Sequence, residues 1–192
     1  YTFARYVNRL FTACSAPSTI LARTFYSDVV FEQDKNAEAC DGLLYWPSSA
    51  VMMEYKAGIL TTRQRYSMIP AEIMRGIDSL MNKGGKRAKG VGQLAKSLGR
   101  VVSGQQLKSQ QDIIDLSACE KIYPTIVAYD EMLMNHGVRL YLQNELNRNL
   151  DEQGTDKSRI GPLLLFSIRD IEHLEELIQK VGAEKLLREY AT

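Results

Sequence analysis

Apolar residues occur along the chain in two patterns, and each pattern predicts a different kind of element. Short runs rich in β-branched and aromatic residues predict strands over residues 25–31, 42–46, 50–56, 122–128 and 162–166. Longer stretches with apolar residues at helical spacing predict helices over residues 1–25 (broken near Pro17), 70–82, 91–102, 106–120, 131–149 and 167–190. The polar residues 32–39 are expected to form a loop.

The order of these elements predicts an α/β fold. Pro47, Ser48 and Ser49 are turn residues between two strand-like runs, so those runs should pair as an antiparallel hairpin. The later strands alternate with helices, which favours parallel pairing. We therefore expect a mixed central sheet flanked by helices, formed by residues 1–192 as a single domain. Because the sequence begins at Tyr1 and not at a methionine, we also expect this domain to be part of a longer chain.

Three charged residues at the end of the predicted hairpin are the strongest candidates for chemistry. Glu54 and Lys56 are two positions apart on one strand, so their side chains should point to the same face. Asp41 begins the preceding strand, and the hairpin can bring it beside Glu54. The hairpin reads as apolar on both faces, and charged groups at the end of a buried strand are costly unless they are paired or used.

Binding of a divalent cation would explain why these three charged residues lie together. Two close carboxylates repel each other unless a cation lies between them. Mg²⁺ prefers one or two carboxylates together with waters and phosphate oxygens, and the backbone carbonyl of Tyr55 offers a further oxygen. A bound metal can activate water for phosphodiester hydrolysis, and Lys56 can orient that water and neutralise developing charge. The alternative is a structural cluster of ion pairs formed by Asp41, Glu54 and Lys56.

The segments Asp41-Gly42-Leu43-Leu44 and Val51-Met52-Met53-Glu54-Tyr55-Lys56 resemble the core motif of the PD-(D/E)xK phosphodiesterases, the restriction-endonuclease-like nucleases. That motif is an Asp on one strand followed by a hydrophobic strand ending in E-x-K. The resemblance covers residues 25–100 and implies a restriction-endonuclease-like fold with Mg²⁺ or Mn²⁺ as cofactor. It implies that Asp41 and Glu54 are metal ligands and that Lys56 is the catalytic lysine. Gln93 matches a glutamine that such families often place on the helix after the hairpin.

The sequence departs from the family pattern in several places. Cys40 precedes Asp41 where the family has proline, and Ser97 stands where some members have a tyrosine four residues after the glutamine. Many members also carry a glutamate on the first core helix, whereas residues 1–27 contain no Asp or Glu. That ligand would be absent, lie upstream of Tyr1, or be replaced by Glu38 or Glu32 in the predicted loop.

Positive charge is concentrated just after the candidate site. Residues 56–100 contain ten Lys or Arg against two acidic residues, a net charge of +8, whereas the whole chain carries +1. A flexible basic loop over residues 83–90 is the kind of surface that a phosphate backbone binds. The candidate nucleic-acid contacts are Lys83, Lys86, Arg87, Lys89 and Lys96. No helix-turn-helix or zinc-finger pattern is present, so base-specific recognition is not predicted.

Composition excludes several classes of protein. The 192 residues are 45% hydrophobic and 24% charged, which is ordinary for a globular domain and unlike a disordered tail or a disulfide-rich miniprotein. No apolar run reaches the roughly 18 residues that span a bilayer, so no membrane is expected as a partner. The cysteines at 14, 40 and 119 form no CxxC pair, so we expect reduced, buried thiols and a cytoplasmic protein.

These observations together favour a metal-dependent nuclease acting on DNA, with RNA left open as the substrate. The resemblance implies service in restriction, repair, mobile-element or anti-phage defence systems, with other domains or subunits as partners. The alternative is a nuclease-like domain without catalysis that binds nucleic acid or a partner. Oligomeric state stays open; a homodimer would supply the two active sites that double-strand cutting usually needs.

Overall fold

Seven strands form one mixed sheet in the part of the chain that the structure, a computed structural model, describes. That part comprises residues 2–14, 25–84, 87–173 and 189, with only the backbone described at residues 14, 83, 84 and 87. The strands of the sheet are β1 (Phe25–Phe31), β2 (Asp34–Trp46), β3 (Ser49–Lys56), β6 (Leu107–Ser109), β7 (Asp112–Ile114), β8 (Lys121–Ala128) and β9 (Leu164–Ser167), and a separate two-stranded pair is formed by β4 (Lys83–Gly84) and β5 (Arg87–Ala88).

The sheet is antiparallel in its first half and parallel in its second. Its strand order is β7-β6-β1-β2-β3-β8-β9. β1, β2, β3, β6 and β7 pair antiparallel, whereas β8 runs parallel to both β3 and β9. This confirms the expected α/β class and mixed sheet, since the β2–β3 hairpin supplies the antiparallel pairing and the helix-connected late strands supply the parallel pairing.

Helices cover both faces of the sheet. The helices are α1 (Thr2–Cys14), α2 (Thr62–Arg65), α3 (Pro70–Met81), α4 (Val91–Val102) and α5 (His136–Glu152), with a 3-10 helix at Glu131–Met134. Neighbouring residues of β3 point to opposite faces: Met52 packs in the cluster that contains apolar residues of α3, α4 and α5, and Met53 packs with α1. β3 is therefore buried on both sides, and a charged residue at its end lies in a desolvated environment.

The β2–β3 hairpin forms as the turn residues predict. Pro47 and Ser48 connect the strands, and the register pairs Trp46 with Ser49 and Leu43 with Met52. Alternation of apolar side chains on both faces locks this register, because a one-residue slip would exchange the residues of the two cores. The hairpin thus fixes which residue of β2 lies opposite each residue of β3.

Two sequence-based assignments are wrong. The predicted helix over residues 106–120 is the β6–β7 hairpin, whose tight turn has Gln110 in the left-handed region at a φ of 52°. Leu107 and Ser109 are buried while Lys108 is partly exposed, so burial alternates from one residue to the next, as in a strand. The predicted loop over residues 32–39 is largely the start of β2, because Asp34 and Glu38 pair with β1.

Other boundaries differ less. The predicted helix over residues 131–149 is a 3-10 helix and then α5, with Asn135 capping α5 through its side chain. The basic loop contains the short β4–β5 pair. The ends of the first and last predicted helices, at residues 15–24 and 174–188, lie outside the described residues. Among the described helices, none has the length and apolar character needed to cross a bilayer.

Candidate active site

Asp41 and Glu54 lie opposite each other at the end of the β2–β3 ladder. The ladder pairs Gly42 with Met53, so the next step of the register places Asp41 across from Glu54. Directly opposite residues of antiparallel strands present their side chains to the same face. The neighbouring pair on that face, Leu43 and Met52, belongs to the core cluster that includes α4. The hairpin therefore brings together the two carboxylates that were singled out in the sequence.

Lys56 lies on the same face and pairs with Glu54, which completes a trio of charged residues with Asp41. Its Nζ atom donates a hydrogen bond to Glu54 Oε1 at 2.5 Å, and the Glu54 side chain is only 4% exposed. Burial raises the pKa of Glu54 to about 7, with the positive charge of Lys56 opposing this rise and the negative charge of Asp41 adding to it. Near neutral pH the Glu54 carboxyl is therefore divided between its protonated and ionised forms.

The second oxygen of Glu54 has no hydrogen-bond partner. Oε2 is buried, and no donor reaches it from any described residue. A buried acceptor without a partner costs roughly 1–3 kcal/mol, so such an atom calls for a ligand, a water or an ion. This orphaned oxygen is the feature of the site that most needs explanation.

Asp41 is held by the backbone of the opposite strand. Its Oδ2 atom accepts a hydrogen bond from the Tyr55 backbone N–H at 2.6 Å. Burial raises the pKa of Asp41, and the Tyr55 N–H opposes that rise. Because the donor is a main-chain group of β3, the Asp41 carboxylate is fixed relative to Glu54.

Glu38 joins this cluster from β2. Partial desolvation and the negative charge of Asp41 raise the pKa of Glu38, and the two carboxyls share a hydrogen bond. Of the two glutamates considered from sequence, Glu38 is therefore the one beside Asp41, and Glu32 is not among the groups that perturb the cluster.

Asp28 is a neighbour of the site that sequence reasoning missed. β1 pairs Ser27 with Gly42 and Val29 with Cys40, which places Asp28 across from Asp41. Its φ is 51°, in the left-handed region that aspartate tolerates better than most residues. Its charge contributes to raising the pKa values of both Asp41 and Glu38. The sequence did contain a signal for this residue. Asp28 interrupts the predicted strand over residues 25–31 and directly follows residues 1–27, which contain no acidic residue.

The Tyr55 side chain lies on the other face, as expected for a residue between Glu54 and Lys56. It packs in the cluster formed with α1, and its hydroxyl is buried without a partner among the described residues. The part of Tyr55 that faces the site is its backbone, whose N–H binds Asp41. Its carbonyl remains the group expected from sequence to contribute to a metal site.

Gln93 and Lys96 lie on α4 in a cleft beside the cluster. The cleft has a volume of about 360 Å³, and Glu38 contributes to its wall. Gln93 therefore lines the same cleft as the glutamate that bonds Asp41. Asp41, Glu54 and Lys56 themselves do not line this cleft.

Of the remaining basic candidates, Lys83 and Arg87 lie on the β4–β5 pair, and Lys89 lies on its connection to α4. Lys89 is exposed, and its Nζ lies 3.5 Å from the Ser79 carbonyl oxygen. Lys83 and Arg87 are described as backbone only, and Lys86 lies outside the described residues. Gly90 connects this pair to α4 with a φ of +48°, and a Cβ there would lie 2.2 Å from the Met81 carbonyl oxygen.

The donor set fits a partly hydrated Mg²⁺ better than a metal enclosed by protein. Among the described residues, no group of three or more His, Cys, Asp or Glu side chains is arranged to hold a metal. Mg²⁺ does not need such a cage, because it keeps several waters and takes one or two carboxylates plus substrate phosphate oxygens. Asp41 and the orphaned Glu54 oxygen are sufficient for that mode of binding.

Comparisons with known proteins assign no family. No family model matches the chain, and searches of the curated proteins and of the solved structures returned no significant match.

Proposed function

We propose that this chain is a Mg²⁺- or Mn²⁺-dependent nuclease domain of the restriction-endonuclease-like type, hydrolysing phosphodiester bonds of DNA with activated water. The observation that carries the proposal is the buried, unpartnered Oε2 atom of Glu54 on the face shared with Asp41 and Lys56. The large majority of buried side-chain acceptors in folded proteins have a donor, and the ion pair with Lys56 occupies only Oε1 of Glu54. A cation supplied with the substrate would satisfy Oε2.

Each residue of the trio has a role in this proposal. Asp41 and Glu54 would hold the metal, which would supply Lewis acidity toward the scissile phosphate and lower the pKa of a water. Tyr55 fixes Asp41 through its backbone N–H. Lys56, which bonds the other oxygen of Glu54, would orient the attacking water and neutralise charge on the phosphate. Gln93, which lines the cleft shared with Glu38, contacts the substrate or its water.

A second candidate is favoured by the close Lys56–Glu54 contact. Lys56 Nζ lies 2.5 Å from Glu54 Oε1, which already neutralises part of the charge without a metal. A domain that binds nucleic acid or a partner protein without catalysis would keep this ion pair permanently. The two candidates differ in whether a divalent cation binds at the trio and in whether DNA is cut.

The test compares Glu54→Gln with the wild-type chain in two assays. The first is cleavage of plasmid, linear duplex and single-stranded DNA with Mg²⁺, Mn²⁺ or EDTA. The second is Mn²⁺ binding by calorimetry without DNA. We expect Glu54→Gln to lower the cleavage rate by at least about a hundredfold and Mn²⁺ affinity by at least about tenfold.

Glu120→Gln is the matched control, because Glu120 is exposed and its backbone bonds Ser48 at the opposite end of the hairpin. It should leave both measurements unchanged. Mn²⁺ binding that is equal in the wild type and in Glu54→Gln would contradict the metal site. Metal binding without cleavage of any of the DNA substrates would favour the non-catalytic candidate.

A further inference from the structure

A row of donors on α4 lines the cleft beside the acidic cluster. Gln93, Lys96, Ser97 and Arg100 follow one another at intervals of three, one and three residues, so they share one face of the helix. This face spans about 10 Å along the axis at 1.5 Å per residue. Facing it are Ala37 and Glu38 of β2 and Phe31 of β1. The cleft therefore has acidic and cationic groups on facing walls.

Glu38 connects the cleft to the candidate active site. Its carboxyl lines the cleft and bonds Asp41, which lies opposite Glu54. A chain whose scissile phosphate lies at the trio would therefore pass Glu38 on entering the cleft. In a nucleic-acid strand, the charged group that follows the scissile phosphate is the phosphate of the adjoining nucleotide.

Arg100 is held in position for anion binding before any ligand arrives. Its guanidinium lies 3.6 Å from the centre of the Phe31 ring, and its Nε atom donates to Gln105 Oε1 at 2.7 Å. Asp34 is more distant, with 4.0 Å between its carboxylate and Nη2. A guanidinium fixed on an aromatic ring loses less entropy on binding than a free side chain, and its fork of N–H groups matches phosphate.

Lys96 supplies a second cation one helical turn from Arg100. It is exposed, and its side chain lines the same cleft. The interval of four residues places the two cations on neighbouring turns of one face. A volume of about 360 Å³ is at the small end of ligand sites, so it accommodates a single nucleotide and not the width of a duplex.

We propose that this cleft binds the phosphate of the nucleotide adjoining the scissile bond, with Lys96 and Arg100 as positioning residues. This inference rests on the proposed nuclease function and specifies its substrate as a strand with an unpaired nucleotide beside the cleaved bond. Gln93, which lines the same cleft as the two cations, binds the sugar-phosphate backbone that connects the two phosphates.

The experiment measures binding of a fluorescent single-stranded oligonucleotide by anisotropy, with Ca²⁺ replacing Mg²⁺ to prevent cleavage. The variants are Lys96→Gln and Arg100→Gln, and Lys121→Gln is the matched control. Lys121 is exposed and begins β8, whereas Ala128, which pairs with Lys56, lies at the other end of that strand. We expect each cleft variant to lose about tenfold in affinity and about 0.7 in the slope of log K against log salt concentration. The control should match the wild type.

A second arm locates the phosphate. Single phosphates of the oligonucleotide are replaced in turn by neutral methylphosphonates. The replacement next to the bond that is cut in Mg²⁺ should weaken binding by the wild type more than binding by Lys96→Gln, because this variant has lost one of the two cations that bind that phosphate. Equal affinity of Lys96→Gln and the wild type, or equal reductions in both proteins at every position, would overturn the inference.

The inference and the proposed function fail in different ways. Wild-type cleavage with no effect of Lys96→Gln on binding would remove the subsite and leave the nuclease. Lys96-dependent binding of a specific phosphate without cleavage would remove catalysis and leave the phosphate site. A wild-type chain that neither binds nor cuts the oligonucleotide would overturn both.

Discussion

Lys56 influences the protonation state of Glu54. Lys56 donates to Glu54 Oε1 at 2.5 Å, and its positive charge holds the pKa of Glu54 below the value that burial alone would give. Removing Lys56 therefore has two effects, because it deletes a cation near the proposed transition state and favours the protonated form of Glu54. A protonated Glu54 is a poor metal ligand.

The residue-scale prediction follows from this coupling. Lys56→Ala should lower the DNA cleavage rate by at least about a hundredfold, the scale of removing one preorganised electrostatic interaction. It should also move the pH dependence of Mn²⁺ affinity upward, because Glu54 then ionises at higher pH. Lys56→Arg should keep Mn²⁺ affinity near the wild-type value without restoring the rate, since a planar guanidinium cannot take the place of an ammonium. Wild-type cleavage by Lys56→Ala at all Mg²⁺ concentrations would make this lysine structural.

At the scale of the element, the β2–β3 hairpin positions Asp41 through close packing on the face opposite the site. Gly42 follows Asp41, and a Cβ on Gly42 would lie 2.3 Å from the Tyr55 hydroxyl oxygen and 3.2 Å from the Phe25 ring. Tyr55 in turn holds Asp41 by its backbone N–H. A side chain at position 42 would therefore displace the residue on which the Asp41 geometry depends.

A double-mutant cycle tests this coupling. Gly42→Ala should destabilise the fold by about 1–3 kcal/mol through overpacking. Tyr55→Phe should stabilise it by about 1 kcal/mol, because it removes a buried hydroxyl that has no partner among the described residues. The double variant should lose less stability than the sum of the two single changes predicts, because the Tyr55 hydroxyl oxygen that the new Cβ would approach most closely is absent from it. Chemical denaturation measures all four proteins, and additive effects would contradict the proposed packing.

The basic segment between α3 and α4 is the second element with a testable role. A triple variant combines Lys86→Gln, Arg87→Gln and Lys89→Gln. It should weaken binding to all DNA sequences similarly. The slope of log K against log salt concentration should decrease by about 0.9 for each phosphate of duplex DNA that is no longer neutralised. A combined Lys121→Gln, Lys157→Gln and Arg169→Gln variant removes equal charge elsewhere and serves as the control. If both triple variants bind DNA with the same affinity and salt slope, the segment has no specific role.

At the scale of the whole molecule, the buried acids determine how stability varies with pH. The pKa of Glu54 is raised to about 7 in the folded protein from 4.5, so the folded state binds a proton more tightly than the unfolded state. The associated stability is fully present below about pH 4.5 and is lost as pH rises through 7. At 1.36 kcal/mol per pKa unit, the loss has an upper limit of about 3 kcal/mol.

The loss of stability with rising pH can be measured. The free energy of unfolding of the wild type should fall between pH 5 and pH 8 relative to Glu54→Gln, which cannot ionise at this position. Asp41 and Glu38 add to the fall in both proteins, because their pKa values are also raised. Urea denaturation at several pH values measures the difference. A difference between the two proteins that is constant with pH would show that Glu54 is not a buried titrating group.

The sequence by itself determined those helices and strands in which the turn residues and the spacing of apolar residues agree with the burial pattern of the folded protein. The turn at Pro47 and Ser48 and the apolar runs around it were sufficient to predict the hairpin, and the hairpin fixes Asp41 opposite Glu54 and aligns Lys56. The helical spacing from Pro70 and from Val91 predicted α3 and α4 for the same reason. These are short-range patterns, in which burial and backbone preference point to the same structure.

Only the tertiary structure decided the rest of the site. Asp28 and Glu38 join Asp41 because β1 pairs with β2 across a left-handed residue, and no local pattern shows that pairing. The segment at 106–120 became a hairpin because β6 pairs with β1, overriding its helical propensity. Gln93, Lys96 and Arg100 line one cleft with Glu38 because α4 packs on the face that carries the trio. Such contacts depend on residues far apart in the chain, whose proximity exists only once the sheet has assembled.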